Sequence, residues 1–314
     1  MNILLTGAAG FIGSSLADKL LASGHTVTGL DNYDGFYPRE IKEQNISNAV
    51  NHPNFSFIEG DICDSTVWEK LDGHKFDQVI HLAAKAGVRP SMKNPIGYNE
   101  TNIMGTTYLL EYARNNKVPK VIFASSSSVY GVNKNLPWSV DDKSLQPISI
   151  YASSKLSGEA LCSLYQQHFG LKVIALRFFT VFGPRQRPDL AIHKFVKAID
   201  NGQPIPVFGD GQTFRDYTYI EDIVSGIMGA INYDNQEFEI FNLGNTHTVS
   251  LTELISIIEK LTGKTAIIDR QPPQPGDVPY TWSDIEKSKR LLGYDPKTSI
   301  EDGIAGFIDW YKKR

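Results

Sequence analysis

Gly7-Ala8-Ala9-Gly10-Phe11-Ile12-Gly13 follows the apolar run Ile3-Leu4-Leu5, and Asp31 stands eighteen residues beyond Gly13. The run is continuous rather than alternating, which reads as a strand buried on both faces. Glycine lets the chain turn tightly and bring its backbone against a phosphate with no Cβ between. From Phe11 to Ser23 the pattern is helical, and the free N–H groups and positive dipole end of that helix suit an anion. A second strand, Thr26–Leu30, then delivers Asp31. Strand, glycine turn, helix, strand and carboxylate, in that order, make a dinucleotide site. Asp31 can accept both hydroxyls of an adenosine ribose but repels a 2′-phosphate, and no Arg stands at Asn32 or Tyr33. The expected cofactor is therefore NAD rather than NADP.

The same alternation runs outward from this opening. Strand-like runs recur at Phe55–Ile58, Gln78–Leu82, Val121–Ser125 and Val173–Arg177, with helical patterns at Ile96–Asn115 and Tyr151–Phe169. This order predicts the α/β class, as a Rossmann-type, doubly wound parallel sheet with helices on both faces. Ligands sit at the carboxyl ends of such strands. Asp61-Ile62 follows the third strand and can reach adenine. Leu82-Ala83-Ala84 follows the fourth, where small residues let a cofactor pass close to backbone.

From about Phe179 glycines and prolines break the chain into short pieces, and helical patterns follow near Thr218–Tyr233, Ser250–Leu261, Asp284–Leu292 and Ile300–Tyr311. These predict a smaller, mixed C-terminal substrate domain. A segment near Ile220–Leu243 is expected to return to the main sheet, and Gln271–Gly276 reads as a loop. The division expected is 1–178 plus about 218–244 for the cofactor, and 179–217 with 245–314 for the substrate.

The 314 residues, 41% hydrophobic and 21% charged, are ordinary for a globular protein. No apolar stretch approaches the ~20 residues that cross a bilayer, and no signal peptide is evident. A net charge of −4 without a basic face argues against nucleic acid. Cys63 and Cys162 lie far apart, outside any metal spacing, so buried thiols and no metal are expected. The expected location is the cytoplasm.

Tyr151-Ala152-Ser153-Ser154-Lys155 puts a phenol and an ammonium on one helix face. A free tyrosine titrates near ~10 and is a poor base at neutral pH. A neighbouring ammonium and a cationic nicotinamide favour its phenolate, which makes the pair a proton shuttle. Ser125–Ser128 ends the preceding strand, so hydroxyls can converge on the same place.

Together these residues resemble the short-chain dehydrogenase/reductase superfamily, in its extended branch that works on nucleotide sugars, over essentially the whole chain. The resemblance implies catalytic roles for Tyr151 and Lys155, with Lys155 also on the nicotinamide ribose and Ser126 on the sugar 4-hydroxyl. It further implies that C4 of the sugar is oxidised at bound NAD, and that members differ in the fate of the 4-keto sugar. Sugar 4,6-dehydratases carry Asp and Glu in the triplet before Val-Tyr-Gly, and UDP-xylose synthases carry Thr-Ser-Glu. This chain has Ser126-Ser127-Ser128 before Val129-Tyr130-Gly131. A serine hydroxyl cannot replace a carboxylate as a base, so elimination is disfavoured and inversion at C4 is expected.

Phe179-Thr180-Val181-Phe182-Gly183-Pro184-Arg185-Gln186-Arg187-Pro188-Asp189 resembles the matching segment of UDP-glucuronate 4-epimerases. Ala84-Lys85-Ala86-Gly87-Val88-Arg89 resembles the same family's Ala-Gln-Ala-Gly-Val-Arg, with Lys85 in place of glutamine. Ser127, Ser128 and Thr180 are expected to donate hydrogen bonds to a sugar carboxylate, with charge added by Arg187 or Arg89. In this family Val207-Phe208-Gly209 lines the uracil pocket, Arg215 meets the diphosphate, and the Asp matching Asp277 reaches the uridine ribose. The resemblance thus implies an isomerase with tightly bound NAD⁺ that interconverts UDP-glucuronate and UDP-galacturonate. A homodimer is expected, through Ile96–Asn115 and Tyr151–Phe169. The alternatives are a UDP-glucose or UDP-N-acetylhexosamine 4-epimerase, then a UDP-glucuronate decarboxylase, and outside catalysis a cofactor-binding regulatory or structural protein of the same fold.

Overall fold

The computed structural model describes residues 1–234, 237–272 and 278–314. Its central sheet joins seven parallel strands: β1 (Asn2–Thr6), β2 (Thr26–Asp31), β3 (Phe55–Glu59), β4 (Gln78–His81), β5 (Lys120–Ser126), β6 (Lys172–Phe178) and β10 (Glu239–Leu243). A smaller mixed sheet contains β7 (Thr180–Phe182), β9 (Phe214–Tyr219) and β11 (Thr248–Ser250). A parallel pair joins β8 (Pro204–Phe208) to β12 (Ile267–Gln271).

The order in the central sheet is β10-β6-β5-β4-β1-β2-β3. The chain winds from β1 out to β3, returns to β4 on the other side of β1, and winds out again. That reversal leaves a crevice at the carboxyl ends of β1 and β4. Strand β1 is buried on both faces: Ile3 and Leu5 join one apolar core and Leu4 the other. Strand β10 lies beside β6, the return to the sheet expected for that part of the chain. Among the described residues no helix is long and apolar enough to cross a membrane.

Local signals set the helix of the Tyr-Lys pair. It spans Ile150–Phe169, begins where Ser149 Oγ accepts the Ala152 N–H, and ends at Gly170 in a left-handed turn. The Leu251–Thr262 helix likewise starts on Ser250, whose hydroxyl accepts the Glu253 N–H. Beneath the Tyr-Lys helix, Glu159 takes both forks of Arg177 at 2.8 and 2.7 Å and the Ser125 hydroxyl at 2.5 Å. Both charges are buried, so this bidentate geometry is what makes their burial tolerable.

Several expected elements differ. The helix expected at Ile96–Asn115 is Pro95–Asn99, a π-turn at Glu100–Met104, and Gly105–Asn115. Thr218 and Tyr219 belong to β9, and the helix expected from Thr218 starts at Ile220. The helix expected from Asp284 starts at Glu286. Gln271, read as loop, closes β12, and Pro273–Gly276 lie outside the described residues. The Arg39–Val50 helix gave no apolar period because Lys42 and Asn45 share its buried face with Ile46 and Ala49. Pro204 and Pro206 read as breakers, but both stand exposed on β8, which pairs on the β12 side alone.

The π-turn has a physical cause. Buried Asn102 sits on it, and its carboxamide pairs with the backbone of Lys85 in both directions, at 2.8 and 2.9 Å. The same amide donates to Ser154 Oγ, which donates to the Tyr151 carbonyl. Inward, Thr106 donates to the Asn102 carbonyl at 2.7 Å and lies 3.0 Å from His81 Nε2. His81 Nδ1 is 2.7 Å from the Thr6 hydroxyl, which also accepts the Ala83 N–H. A neutral ring with its proton on Nε2 satisfies every member of this chain. Burial, and secondly the Lys155 ammonium, hold the imidazole down to about 3.

The folded histidine therefore refuses a proton that the unfolded one accepts below its ordinary value near 6.5. Its contribution to stability is complete above that value and drains away as pH falls toward about 3. Urea unfolding between about pH 7 and 5 should show stability falling by up to about 1.4 kcal/mol per pH unit from this group. His81→Gln should flatten that slope, and an equal slope in both proteins would contradict the assignment.

Candidate active site

A cleft of about 480 Å³ opens at the crevice between β1 and β4. Its floor is the glycine turn. Gly7 adopts φ +72°, and a Cβ there would meet the Ala83 nitrogen at 2.7 Å. A Cβ on Gly13 would lie 2.0 Å from the Gly7 carbonyl oxygen, so the helix packs backbone to backbone on the turn. Gly10 caps the Phe11–Ala22 helix with no side-chain bond, and no acid occupies its first turn. Backbone donors and the dipole there suit an anion such as a pyrophosphate.

Asp31 closes one end. Ala9 N–H donates to one carboxylate oxygen at 3.1 Å and Tyr33 N–H to the other at 2.8 Å. Each oxygen keeps a lone pair, which fits a ribose diol. Burial raises this carboxyl, while Lys42, 3.8 Å away, and the two amides draw it back. Asn32 and Ile62 line the same end. Asp61 does not line the cleft: its carboxylate accepts from Asn32 Nδ2 and the Cys63 N–H. Leu82, Ala83 and Ala84 form the wall beyond β4.

The other end gathers the hydroxyls. Ser126, Ser127, Ser128, Tyr151, Lys155, Thr180 and Arg187 all line the cleft. Ser126 Oγ accepts the Ser128 N–H and lies 3.2 Å from the Ser128 hydroxyl. Burial pushes the Tyr151 phenol up, and the Ser126 hydroxyl and Arg187 charge draw it partly back. Lys155 donates instead to the Ala124 carbonyl at 2.7 Å, and burial brings its ammonium down to about 8. The pair shares a helix face, as its spacing implied. Arg187 itself is held by both oxygens of Asp189, at 2.9 Å each, and lies 5.0 Å over the Phe36 ring.

Of the residues expected at the nucleotide end, Val207, Phe208 and Arg215 lie outside this cleft's lining. Arg89, expected to add charge at the sugar carboxylate, is also outside that lining and stacks on Phe208 at 4.8 Å, joining the segment after β4 to β8. Val207 is buried in the larger apolar core. Arg215 donates to the Phe214 carbonyl at 2.9 Å. Asp277 falls outside the described residues. Sequence reasoning missed Lys42, Asp34, Tyr37 and Asn102. The first three line the cleft, and Asn102 reaches it through the Lys85 backbone. A polar residue on the inner face of a helix was the one signal that could have flagged Lys42.

With this geometry in view, the comparisons with known proteins are specific. The family model for GDP-mannose 4,6 dehydratase matches residues 4–307. UDP-glucuronate 4-epimerase 2 of Arabidopsis thaliana is 39% identical over 329 residues, covering 99% of this chain and 76% of its own. The crystal structure of UDP-glucuronic acid 4-epimerase from Bacillus cereus, in complex with UDP-glucuronic acid and NAD, superposes with a TM-score of 0.95 at 40% identity. It covers 100% of this chain and 99% of its own. UDP-glucose 4-epimerase of Thermotoga maritima, with UDP-glucose, follows at 0.92 and 33% identity, covering 100% and 99%. A parallel sheet reversing at β1, a glycine turn on its floor and a Tyr-Lys helix at its wall thus coincide with a match over nearly the full length. The chain belongs to the GDP-mannose 4,6-dehydratase family of extended short-chain dehydrogenase/reductases.

Proposed function

We propose that the protein is an NAD-dependent 4-epimerase that interconverts UDP-glucuronate and UDP-galacturonate. The observation that carries this reading is the distribution of charge in the cleft. Among the described residues lining it, the acids are Asp31 and Asp34, both on the segment at the end of β2. Tyr151 shares this cleft with Ser126, Ser127, Ser128, Thr180 and the Arg187 guanidinium, of which Ser126 and Arg187 act on its phenol. Elimination or C5 deprotonation needs a carboxylate there. A substrate that brings its own carboxylate needs hydroxyl donors and a cation.

In this reading the glycine turn and Asp31 hold NAD, which supplies the acceptor and donor of the C4 hydride. Tyr151 takes and returns the proton of the C4 hydroxyl, and Ser126 orients the phenol and the sugar. Lys155, fixed on the Ala124 carbonyl, presents its charge beneath that exchange. Ser127, Ser128 and Thr180 donate to the C6 carboxylate, with Arg187 adding charge. Oxidation at C4 makes a β-keto acid, which loses CO₂ when its carboxylate bond aligns with the carbonyl π system. Hydrogen bonds that keep negative charge on the carboxylate oppose that loss. Val207, Phe208, Arg215 and Asp277 belong to the nucleotide end. The uridylyl anchor stays while the 4-keto sugar turns, so residues 1–178 with about 218–244 carry the cofactor and 179–217 with 245–314 the nucleotide sugar. Reduction of the opposite face inverts C4. The likeness to a UDP-glucose 4-epimerase supports a second reading, in which neutral sugars turn over as well.

We also infer a homodimer. Met104 and Tyr108 on one helical run, and Leu164 and Phe169 on the Ile150–Phe169 helix, are exposed apolar side chains. The two runs pack together through the 2.5 Å bond from Tyr165 to Glu111. A twofold copy would bury this apolar face against itself. Light scattering should give twice the chain mass, and a monomer at micromolar concentration would contradict it.

The substrate is tested by incubating the purified protein with UDP-glucuronate and, separately, UDP-glucose, without added NAD, and following the anomeric signals by NMR. The uronate should yield UDP-galacturonate. Inversion of UDP-glucose at a comparable rate would favour the second reading, and a pentose nucleotide would mark a decarboxylase. Thr180→Ala should raise CO₂ loss relative to epimer by roughly tenfold, the worth of about one charge-assisted hydrogen bond. An unchanged ratio would remove Thr180 from that role.

A further inference from the structure

Lys85, the residue that departs from the family's glutamine, crosses the mouth of the cofactor cleft. Its Nζ lies 2.5 Å from Asp34 Oδ2. Asp34 stands beyond the end of β2, and Lys85 beyond the end of β4. Strands β2 and β4 are not neighbours: each pairs with β1, one on either side. Two strand spacings, roughly 10 Å, separate them. An ion pair between their following loops must therefore arch over the end of β1, where the glycine turn begins. The cleft runs from Asp31 to Tyr151 along that turn, and both Asp34 and Lys85 line it.

Each half of the arch has a built foundation. On the β4 side, Asn102 holds the Lys85 backbone N–H and carbonyl together. On the β2 side, the chain turns on its own side chains. Asp31 accepts from Tyr33 N–H, Asn32 from Asp34 N–H, and Asp34 Oδ1 from Phe36 N–H. Asn32 is tied in turn to Asp61 at 2.8 Å, and Phe36 lies under the Arg187 guanidinium. The loop carrying Asp34 is thus pre-shaped before Lys85 meets it. Neither charge is freely solvated, with side-chain exposures of 27% and 34%.

We propose that the Lys85–Asp34 ion pair is a clasp that closes the dinucleotide cleft over the glycine turn and slows release of the bound cofactor. The proposal rests on the NAD reading above. A self-contained cycle, in which the cofactor is regenerated in place, gains from slow release and loses nothing by it. Glutamine in place of Lys85 has no charge to offer Asp34. A lysine acting alone on the cofactor phosphates is the competing role, and the two differ in what loss of Asp34 does.

The test is the exchange rate of bound NAD against excess isotope-labelled NAD, measured on the purified holoprotein. Lys85→Gln and Asp34→Asn should each speed exchange about fivefold, and the double variant no more than either alone. The charge swap, Lys85→Asp with Asp34→Lys, should restore slow exchange. Raising ionic strength should speed exchange in the wild type but not in the double variant. Thermal melting should change little, which separates the effect from misfolding. Slower or unchanged exchange in Asp34→Asn, with faster exchange in Lys85→Gln, would assign Lys85 to the phosphates and overturn the clasp. Additive effects or no effects would also overturn it. A wild-type protein that carries no NAD and takes up none would instead overturn the cofactor reading, and the clasp with it.

Discussion

One uncharged imidazole sets the spacing between the two ends of this cleft. His81 stands at the end of β4 with Thr6 of β1 on one nitrogen and Thr106 on the other. Through Thr106 it reaches Asn102, and through Asn102 both the Lys85 backbone and Ser154 beside Tyr151. The glycine turn, the wall beyond β4 and the Tyr-Lys helix are thereby joined by one unbroken hydrogen-bonded chain. Every link is buried or nearly so, where an unpaired donor costs about 1–3 kcal/mol. A charged histidine could not accept from Thr6, so low local polarity and the neutral tautomer are parts of the same constraint.

That constraint explains which features could be read from the chain alone. The glycine turn, Asp31 and the Tyr-Lys spacing are local signals, in which residue type and short separation carry the physics. They placed the sheet, its reversal and the hydroxyl end of the cleft. Asn102 gave no such signal, because its partners lie 17 and 52 residues away. Its hold on Lys85 turned an expected continuous helix into one with a π-turn. Lys42 and Asp34 were hidden for the same reason. Tyr151 and Lys155 do lie four apart on one helix, and the contacts of each come from distant parts of the chain. Lys155 is long enough to reach back to the Ala124 carbonyl, while the Ser126 hydroxyl and the Arg187 charge draw down a phenol that burial pushes up.

The chemistry of the site follows from what its side chains lack as much as from what they offer. A fold of this kind brings C4 of a sugar to a tyrosine and a cofactor, and the groups beside the tyrosine decide the next step. Carboxylates there would pull protons from carbon. Hydroxyls cannot, but they hold an anion well. Three consecutive serines at the end of β5, with Thr180 from β7 and a guanidinium already fixed by Asp189, line the cleft, and in the proposed reading they would hold a carboxylate and leave C5 alone. Burial keeps the Tyr151 phenol protonated in the free protein, so a positive charge arriving beside it has a shift to make.

The most direct measurement of this account is the fate of deuterium placed at C4 of UDP-glucuronate. The protein should convert it to UDP-galacturonate with the label still on C4, because the same cleft takes the hydride and gives it back. Loss of the label to solvent, or its appearance in a pentose nucleotide, would contradict the account.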